Sequence, residues 1–263
     1  MPLDLSQIRA CALDLDGVVW RDAETLPGTP QFFHFLNERG IPYVFVTNNS
    51  TRTLEDFAHE IETRGVPVTT SQIINSSLVT AELLKRHFPP GTAIYVVGHA
   101  RLGEMMRQHG FVVSEISPKA VVVGLDRELT YHKLTVAGQF IMAGAEFIGT
   151  NADRTFPMGD GAVTPGAGTI VGALEIFTGK KALVMGKPEA PMFHAALDYL
   201  KTRAQETLMI GDRLETDILG AQQVGMKTAL VLTGIHQPSD VGEIVPDGMY
   251  DSLATLLEAW RRL

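Results

Sequence analysis

Asp14 and Asp16 stand two positions apart where the apolar run Ala10-Cys11-Ala12-Leu13 gives way to Gly17. Alternate residues on a strand face the same side, so the two carboxylates can approach one space. Carboxylates that close repel unless a cation lies between them or one keeps a proton. Such asymmetry suits a nucleophile paired with a general acid/base. Taken alone, Asp-x-Asp-Gly is explained equally well as a solvated turn at a strand end.

Three more apolar runs end in reactive or phosphate-friendly groups. Tyr43-Val44-Phe45-Val46 leads into Thr47-Asn48-Asn49-Ser50, whose hydroxyls and amides can hold phosphate oxygens. On its own that cluster reads better as a helix cap, which Ser, Thr and Asn favour. Ala182-Leu183-Val184-Met185 leads into Gly186-Lys187-Pro188. A lysine straight after a buried strand is an unusual place for a solvated charge, and it could neutralise a phosphate or the nucleophilic carboxylate. Leu208-Met209-Ile210 ends in Gly211-Asp212, with Asp217 following. Asp212 could join Asp14 around a hard cation, since oxygen ligands and water are what Mg²⁺ prefers. Asp217 either orients that shell or favours the dipole of a helix N-terminus; both readings stay open. It is the presence of such groups at all four strand ends together, rather than at any one, that points to chemistry.

These residues need elements to position them. Short apolar runs at Arg9–Leu15, Pro42–Thr47, Ala93–Val97, Ala120–Gly124, Ala182–Met185, Thr207–Ile210 and Thr228–Leu232 read as strands. They are rich in Val, Ile and Leu without clean alternation, as expected of strands buried on both faces of a parallel sheet. Amphipathic stretches at Pro30–Arg39, Leu54–Arg64, Ala190–Arg203 and Thr216–Val224 read as helices, with Gly40, Gly65 and Gly225 placed to cap three of them. Alternation of this kind predicts an α/β fold with a doubly wound parallel sheet, in which ligands bind beyond the carboxyl ends of the strands. The middle of the chain, 79–181, is α/β by pattern and long enough to form its own lobe, leaving 1–78 and 182–263 as the core.

Composition narrows the function. The chain has 263 residues, 45% hydrophobic and 20% charged, the balance of a globular protein. A formal net charge of −8 with no basic stripe argues against nucleic-acid or anionic-membrane partners. No apolar run approaches the roughly 20 residues needed to cross a bilayer, and no signal peptide is visible. The single cysteine, Cys11, lies in an apolar run and reads as a small buried hydrophobe. A cytoplasmic, reducing location is expected.

In this combination the four motifs resemble those of the haloacid dehalogenase superfamily of phosphohydrolases. The resemblance implies a Rossmann-like core, Mg²⁺ as cofactor and a small phosphorylated substrate. It implies Asp14 as nucleophile, Asp16 as general acid/base and Thr47 with Asn48 and Asn49 as the phosphate-binding motif. It also implies Lys187 as the third motif, and Asp212 with Asp217 as the fourth. The metal is then held by the side chains of Asp14 and Asp212, by the main-chain carbonyl of Asp16 and with the help of Asp217. Thr47-Asn48-Asn49 is similar to the second motif of the subfamily that includes NagD-type nucleotidases, phosphoglycolate phosphatases and 4-nitrophenyl phosphatases. That subfamily inserts a large α/β cap between the second and third motifs, which fits 79–181. Gly149-Thr150-Asn151-Ala152-Asp153, with Pro157 and Pro165-Gly166-Ala167-Gly168, resembles its cap signature, and Asn151 and Asp153 are the expected substrate-side contacts. Trp20, Arg21 and Asp22 fall where the family has a mobile flap, although a solvated hairpin explains them as well. Relatives that pair through the cap leave a homodimer open, and the resemblance does not carry over the identity of the substrate.

Three rivals remain in view. A dehalogenase needs no metal and no proton delivered to an alkoxide, so Asp16 favours phosphoryl transfer. Gly166-Ala167-Gly168-Thr169-Ile170-Val171-Gly172 superficially resembles a dinucleotide loop, but Ala162-Val163-Thr164-Pro165 before it makes a poor buried strand. A non-catalytic phosphate-binding protein would have little use for the full set of Asp14, Asp16, Lys187 and Asp212.

Overall fold

The computed structural model describes residues 3–157, 163–235 and 238–263. The chain divides into two compact units: Met1–Thr47, Leu54–Ile74 and Lys187–Leu263 form one, and Asn48–Thr53 with Asn75–Gly186 form the other.

The first unit is built on a six-stranded sheet in the order Gly248–Tyr250, Lys227–Val231, Thr207–Gly211, Ala10–Leu13, Tyr43–Thr47, Ile73–Asn75. The first five strands pair in parallel. Parallel strands without alternation must be covered on both faces, and they are. Cys11, Leu13, Tyr43, Phe45, Leu208 and Ile210 pack with Phe32, Phe33, Leu36, Leu256 and Trp260, which come from helices Thr29–Glu38 and Leu253–Arg261. Phe33 sits 4.9 Å from the Tyr43 ring and 5.3 Å from that of Phe45, within the range of favourable aromatic pairing. The alternate residues Ala12, Val44, Val46 and Met209 are also fully buried, and helix Ala190–Leu200 packs on Tyr43–Thr47. The predicted doubly wound α/β fold is therefore present.

Register fixes the working edge of this sheet. Leu13 stands opposite both Ile210 and Phe45. The residues that follow, Asp14, Asp212 and Thr47, thus emerge from adjacent strands at one edge.

The second unit, inserted in the chain, has a five-stranded sheet in the order Leu183–Val184, Glu146–Gly149, Ala120–Val123, Ala93–Val97, Val112–Val113, parallel throughout. Tyr95, Val97, Val121, Val123 and Phe147 pack with Ala137, Ile141, Ile170, Val171 and Leu174. Those partners come from helices Tyr131–Met142 and Ala167–Thr178.

The glycine-rich stretch has a packing reason. A β-carbon at Gly166 would lie 2.2 Å from the Asp153 carbonyl oxygen, and one at Gly168 would lie 2.3 Å from that of Ala152. Helix Ala167–Thr178 can approach this backbone only with glycine at both positions. The strand before it, Val163–Pro165, is largely exposed and pairs antiparallel with Thr155–Pro157, unlike the buried parallel strand of a dinucleotide fold. Ala162 lies outside the described residues. Among the described residues no helix is long and apolar enough to cross a membrane.

Candidate active site

Asp14 is the first residue past its strand, and its amide donates to the Ile210 carbonyl at 3.0 Å, which carries the sheet pairing into the site. Its carboxylate oxygen Oδ1 accepts from Lys187 Nζ at 2.8 Å. The same ammonium donates to Asp217 Oδ1 at 2.6 Å and to the Val46 carbonyl at 2.8 Å. An ammonium has three donors, and here each has an oxygen. Lys187 is buried and so cannot exchange these partners for water.

Asp212 follows strand Thr207–Gly211, and Asp217 lies in the π-helical turn Leu214–Ile218. Single π turns recur at functional sites because they swing one side chain off the regular helical path. Asp217 Oδ2 accepts from the Arg213 amide at 3.1 Å, closing the turn on itself. Asp212 Oδ2 accepts from the Ile235 amide at 3.1 Å. The carboxylates of Asp14, Asp212 and Asp217 are buried, with oxygens within 4.8 Å of one another.

Electrostatically the cluster is short of positive charge. Burial pushes Asp212 well above the usual carboxylate range, and the charges of Asp217 and Asp14 push it further. Burial also raises Asp217, to about 6; Lys187 opposes that rise and Asp14 adds to it. Burial by itself would lower Lys187, but Asp14 and Asp217 outweigh it and hold the ammonium above its ordinary range. Lys187 is shared by Asp14 and Asp217, while the charge opposing the rise of Asp212 is that of Arg213, and a further cation among the three carboxylates would relieve the excess. The donor set is entirely oxygen, the preference of a hard divalent ion. These residues fit Mg²⁺.

Asp16 is placed differently. It is exposed, and its Oδ1 accepts from the Trp20 indole N–H at 2.8 Å. Trp20 is buried under the Arg64 guanidinium, which lies 4.7 Å from its ring centroid. The residues expected in a flap therefore form a short hairpin, Trp20–Arg21 against Glu24–Thr25, whose tryptophan orients the second aspartate. Asp16 lies outside the carboxylate cluster, which leaves its main-chain carbonyl as the metal contact the resemblance implies.

Thr47 ends its strand buried in the first unit, whereas Asn48 and Asn49 group with the second. The Asn48 amide donates to both Asp153 carboxylate oxygens, at 3.1 and 3.2 Å. The Asn48 carbonyl accepts from Asn151 Nδ2 at 2.9 Å and from Ser76 Oγ at 2.8 Å. Asn151 Oδ1 in turn accepts from the Asp153 amide at 3.1 Å. The two residues expected on the substrate side, Asn151 and Asp153, are thus brought together with Asn48 in one network. Asn49 turns back on its own loop, its Oδ1 accepting from the amide and hydroxyl of Thr51.

Sequence reasoning missed the Val46 carbonyl, the Ile235 amide and the Trp20 indole. Backbone groups leave no trace in residue type. Trp20 had one signal, its position four residues after Asp16.

A family model described as haloacid dehalogenase-like hydrolase matches residues 11–112, and a second, HAD-hydrolase-like, matches 184–256. The ribonucleotide monophosphatase NagD of Escherichia coli K12 is 34% identical over 251 residues, covering 95% of this chain and 98% of that protein. The acid sugar phosphatase of Staphylococcus aureus is 34% identical over 238 residues, 90% of this chain and 91% of its own length. The crystal structure of a 4-nitrophenylphosphatase from Thermotoga maritima superposes with a TM-score of 0.92 at 32% identity, over 97% of this chain and 98% of that one.

Proposed function

The chain belongs to the haloacid dehalogenase-like hydrolases, as a NagD-like phosphatase, and from that premise we propose that it hydrolyses small phosphomonoesters with Mg²⁺ through a phosphoaspartate on Asp14. The observation that carries this reading is the buried Lys187 held 2.8 Å from Asp14 Oδ1. A lysine there holds the carboxylate in one direction, and it stabilises charge on a phosphoryl group brought to it.

Asp14, Asp212 and Asp217, with the Asp16 carbonyl, would hold the metal. When bound, Mg²⁺ neutralises the repulsion between the phosphate and the Asp14 carboxylate. The remaining work falls to the chain's own groups. An Asp14 oxygen attacks phosphorus in line, and the bond from phosphorus to the ester oxygen breaks. Protonated Asp16 gives its proton to that leaving oxygen, which departs as an alcohol. Asp16, now ionised, takes a proton from a water that attacks the phosphoaspartate; inorganic phosphate leaves and Asp14 is regenerated. Trp20 keeps Asp16 aimed through both half-reactions. Thr47 holds phosphate oxygens at the strand end. Asn48 and Asn49 belong to the same turn, with Asn48 tied to Asn151 and Asp153 on the substrate side.

The inserted unit serves as a cap, and the substrate is of the nucleotide, sugar phosphate or phosphoglycolate type. The different substrates in the relatives' names support that breadth. Dehalogenation and simple phosphate binding are the alternatives, and Asp16 beside an intact cluster speaks against both. A cytoplasmic location is supported by the lone buried Cys11. A homodimer through the cap is supported by the exposed Tyr131 and Ile176 of that unit.

The test is phosphate release from a panel of phosphomonoesters, with Mg²⁺ and with EDTA. Metal-dependent release supports the reading. Release unaffected by EDTA, or ligand binding without turnover, contradicts it.

A further inference from the structure

A loop outside the four motifs closes on Asp212. It follows strand Lys227–Val231, one strand along from the strand that carries Asp212. Thr233 Oγ1 donates to the Gly17 carbonyl at 2.6 Å, and the Thr233 carbonyl accepts from the Arg21 guanidinium. Two residues on, the Ile235 amide donates to Asp212 Oδ2. Between these anchors Gly234 leaves space for nothing but hydrogen. A β-carbon there would lie 1.9 Å from Asp212 Oδ2 and 2.3 Å from both its Cβ and Cγ. Gly17 meets the same carboxylate: its β-carbon would lie 2.6 Å from Oδ2, and its φ of +84° suits glycine in any case. The Asp212 side chain is thus held between two glycines from separate turns, and Thr233 ties those turns together.

From this geometry we infer that Thr233 and Gly234 are positioning residues that fix the Asp212 carboxylate in the direction in which it joins Asp14 and Asp217 around a divalent cation. The inference rests on the proposed metal-assisted reading of the site. Its physical ground is that Mg²⁺ demands near-ideal octahedral geometry and tolerates misdirected ligands poorly. Groups that orient a metal ligand from behind are typically worth about 10–100-fold in metal affinity. A loop that served only for packing would contribute stability without affecting the metal.

The experiment is Mg²⁺ titration of the purified full chain by calorimetry, with thermal unfolding in EDTA measured alongside. Gly234→Ala and Thr233→Val are expected to raise the Mg²⁺ dissociation constant about 10–100-fold, with a melting temperature in EDTA close to that of the parent for Thr233→Val and lowered for Gly234→Ala, whose β-carbon must displace the Asp212 side chain. Thr233→Ser, which keeps the hydroxyl, is expected to restore most of the affinity. Should Gly234→Ala fail to fold, Thr233→Val decides alone, since it has the same shape and loses one hydrogen bond. Mg²⁺ affinity unchanged in Thr233→Val, or reduced equally in Thr233→Ser, overturns the inference while the phosphatase reading stands. A parent chain that takes up no Mg²⁺ overturns both.

Discussion

Lys187 Nζ lies 2.6 Å from Asp217 Oδ1, with the two side chains only 3% and 0% accessible. Asp14 shares the same ammonium, so this one lysine neutralises Asp217, a candidate metal ligand, and directs Asp14, the proposed nucleophile.

Removing one member of a buried ion pair leaves an uncompensated charge, which costs about 3–5 kcal/mol. Lys187→Ala is therefore expected to lower unfolding free energy in EDTA by that amount, read from the urea midpoint, and to abolish turnover. A midpoint within error of the parent would show that Asp14 and Asp217 do not depend on it.

The same cluster ties stability to pH. Asp217 is raised to about 6 in the fold from an ordinary 3.8, so the folded state holds the proton more tightly. The stability this confers is complete below about pH 4 and is lost as pH rises through about 6. Metal-free protein should therefore weaken across that window at this site. On the proposed reading Mg²⁺ binds the ionised carboxylates, and it would then stabilise by mass action, by about 2.7 kcal/mol at a hundredfold excess over its dissociation constant. The rise in melting temperature on adding Mg²⁺ should be larger near pH 7.5 than near pH 5. Equal rises would contradict the account.

Trp20 donates to Asp16 from a buried position, so Trp20→Phe keeps most of the packing and removes the hydrogen bond. One such bond is worth about 1 kcal/mol, and kcat is expected to fall roughly five- to tenfold with KM little changed. A change confined to KM would remove Trp20 from the proton-transfer step.

Cys11 lies in the central strand with no solvent access, and burial pushes its thiol well up from its ordinary range. Thiol reagents should label it only after denaturant unfolds the sheet. Rapid labelling of the native protein would contradict its reading as a buried hydrophobe.

What the residues disclosed, and what they withheld, follows from which interactions residue type encodes. Strands buried on both faces are written as apolar runs, so Ala93–Val97 was legible to the residue and Tyr43–Thr47 to within one. Glu146–Gly149, Ile73–Asn75 and Gly248–Tyr250 were not. They are only three or four residues long, so that buried pairs such as Phe147-Ile148 and Ile73-Ile74, flanked by Glu146, Gly149 or Asn75, are too brief to stand out as apolar runs. The polar ends of the four runs were visible as candidates, but the partners that aim them were not. Val46 and Ile235 act through the backbone. Asn48 resembles a helix cap in sequence, yet its amide is held by Asp153, 105 positions away. Asp217, for which a helix-terminus role was equally open, does both: it pairs with Lys187 and, in the first turn of Leu214–Ile218, accepts from the amide of the N-cap Arg213.

The central claim is a covalent phosphoaspartate on Asp14, and rapid acid quench during turnover of a phosphomonoester, followed by peptide mass spectrometry, tests it most directly. The account predicts phosphate on the peptide carrying Asp14 in the parent, and neither label nor turnover in a folded Asp14→Asn variant. Phosphate on another residue, or an Asp14→Asn variant that turns over at the parent's rate, would contradict it.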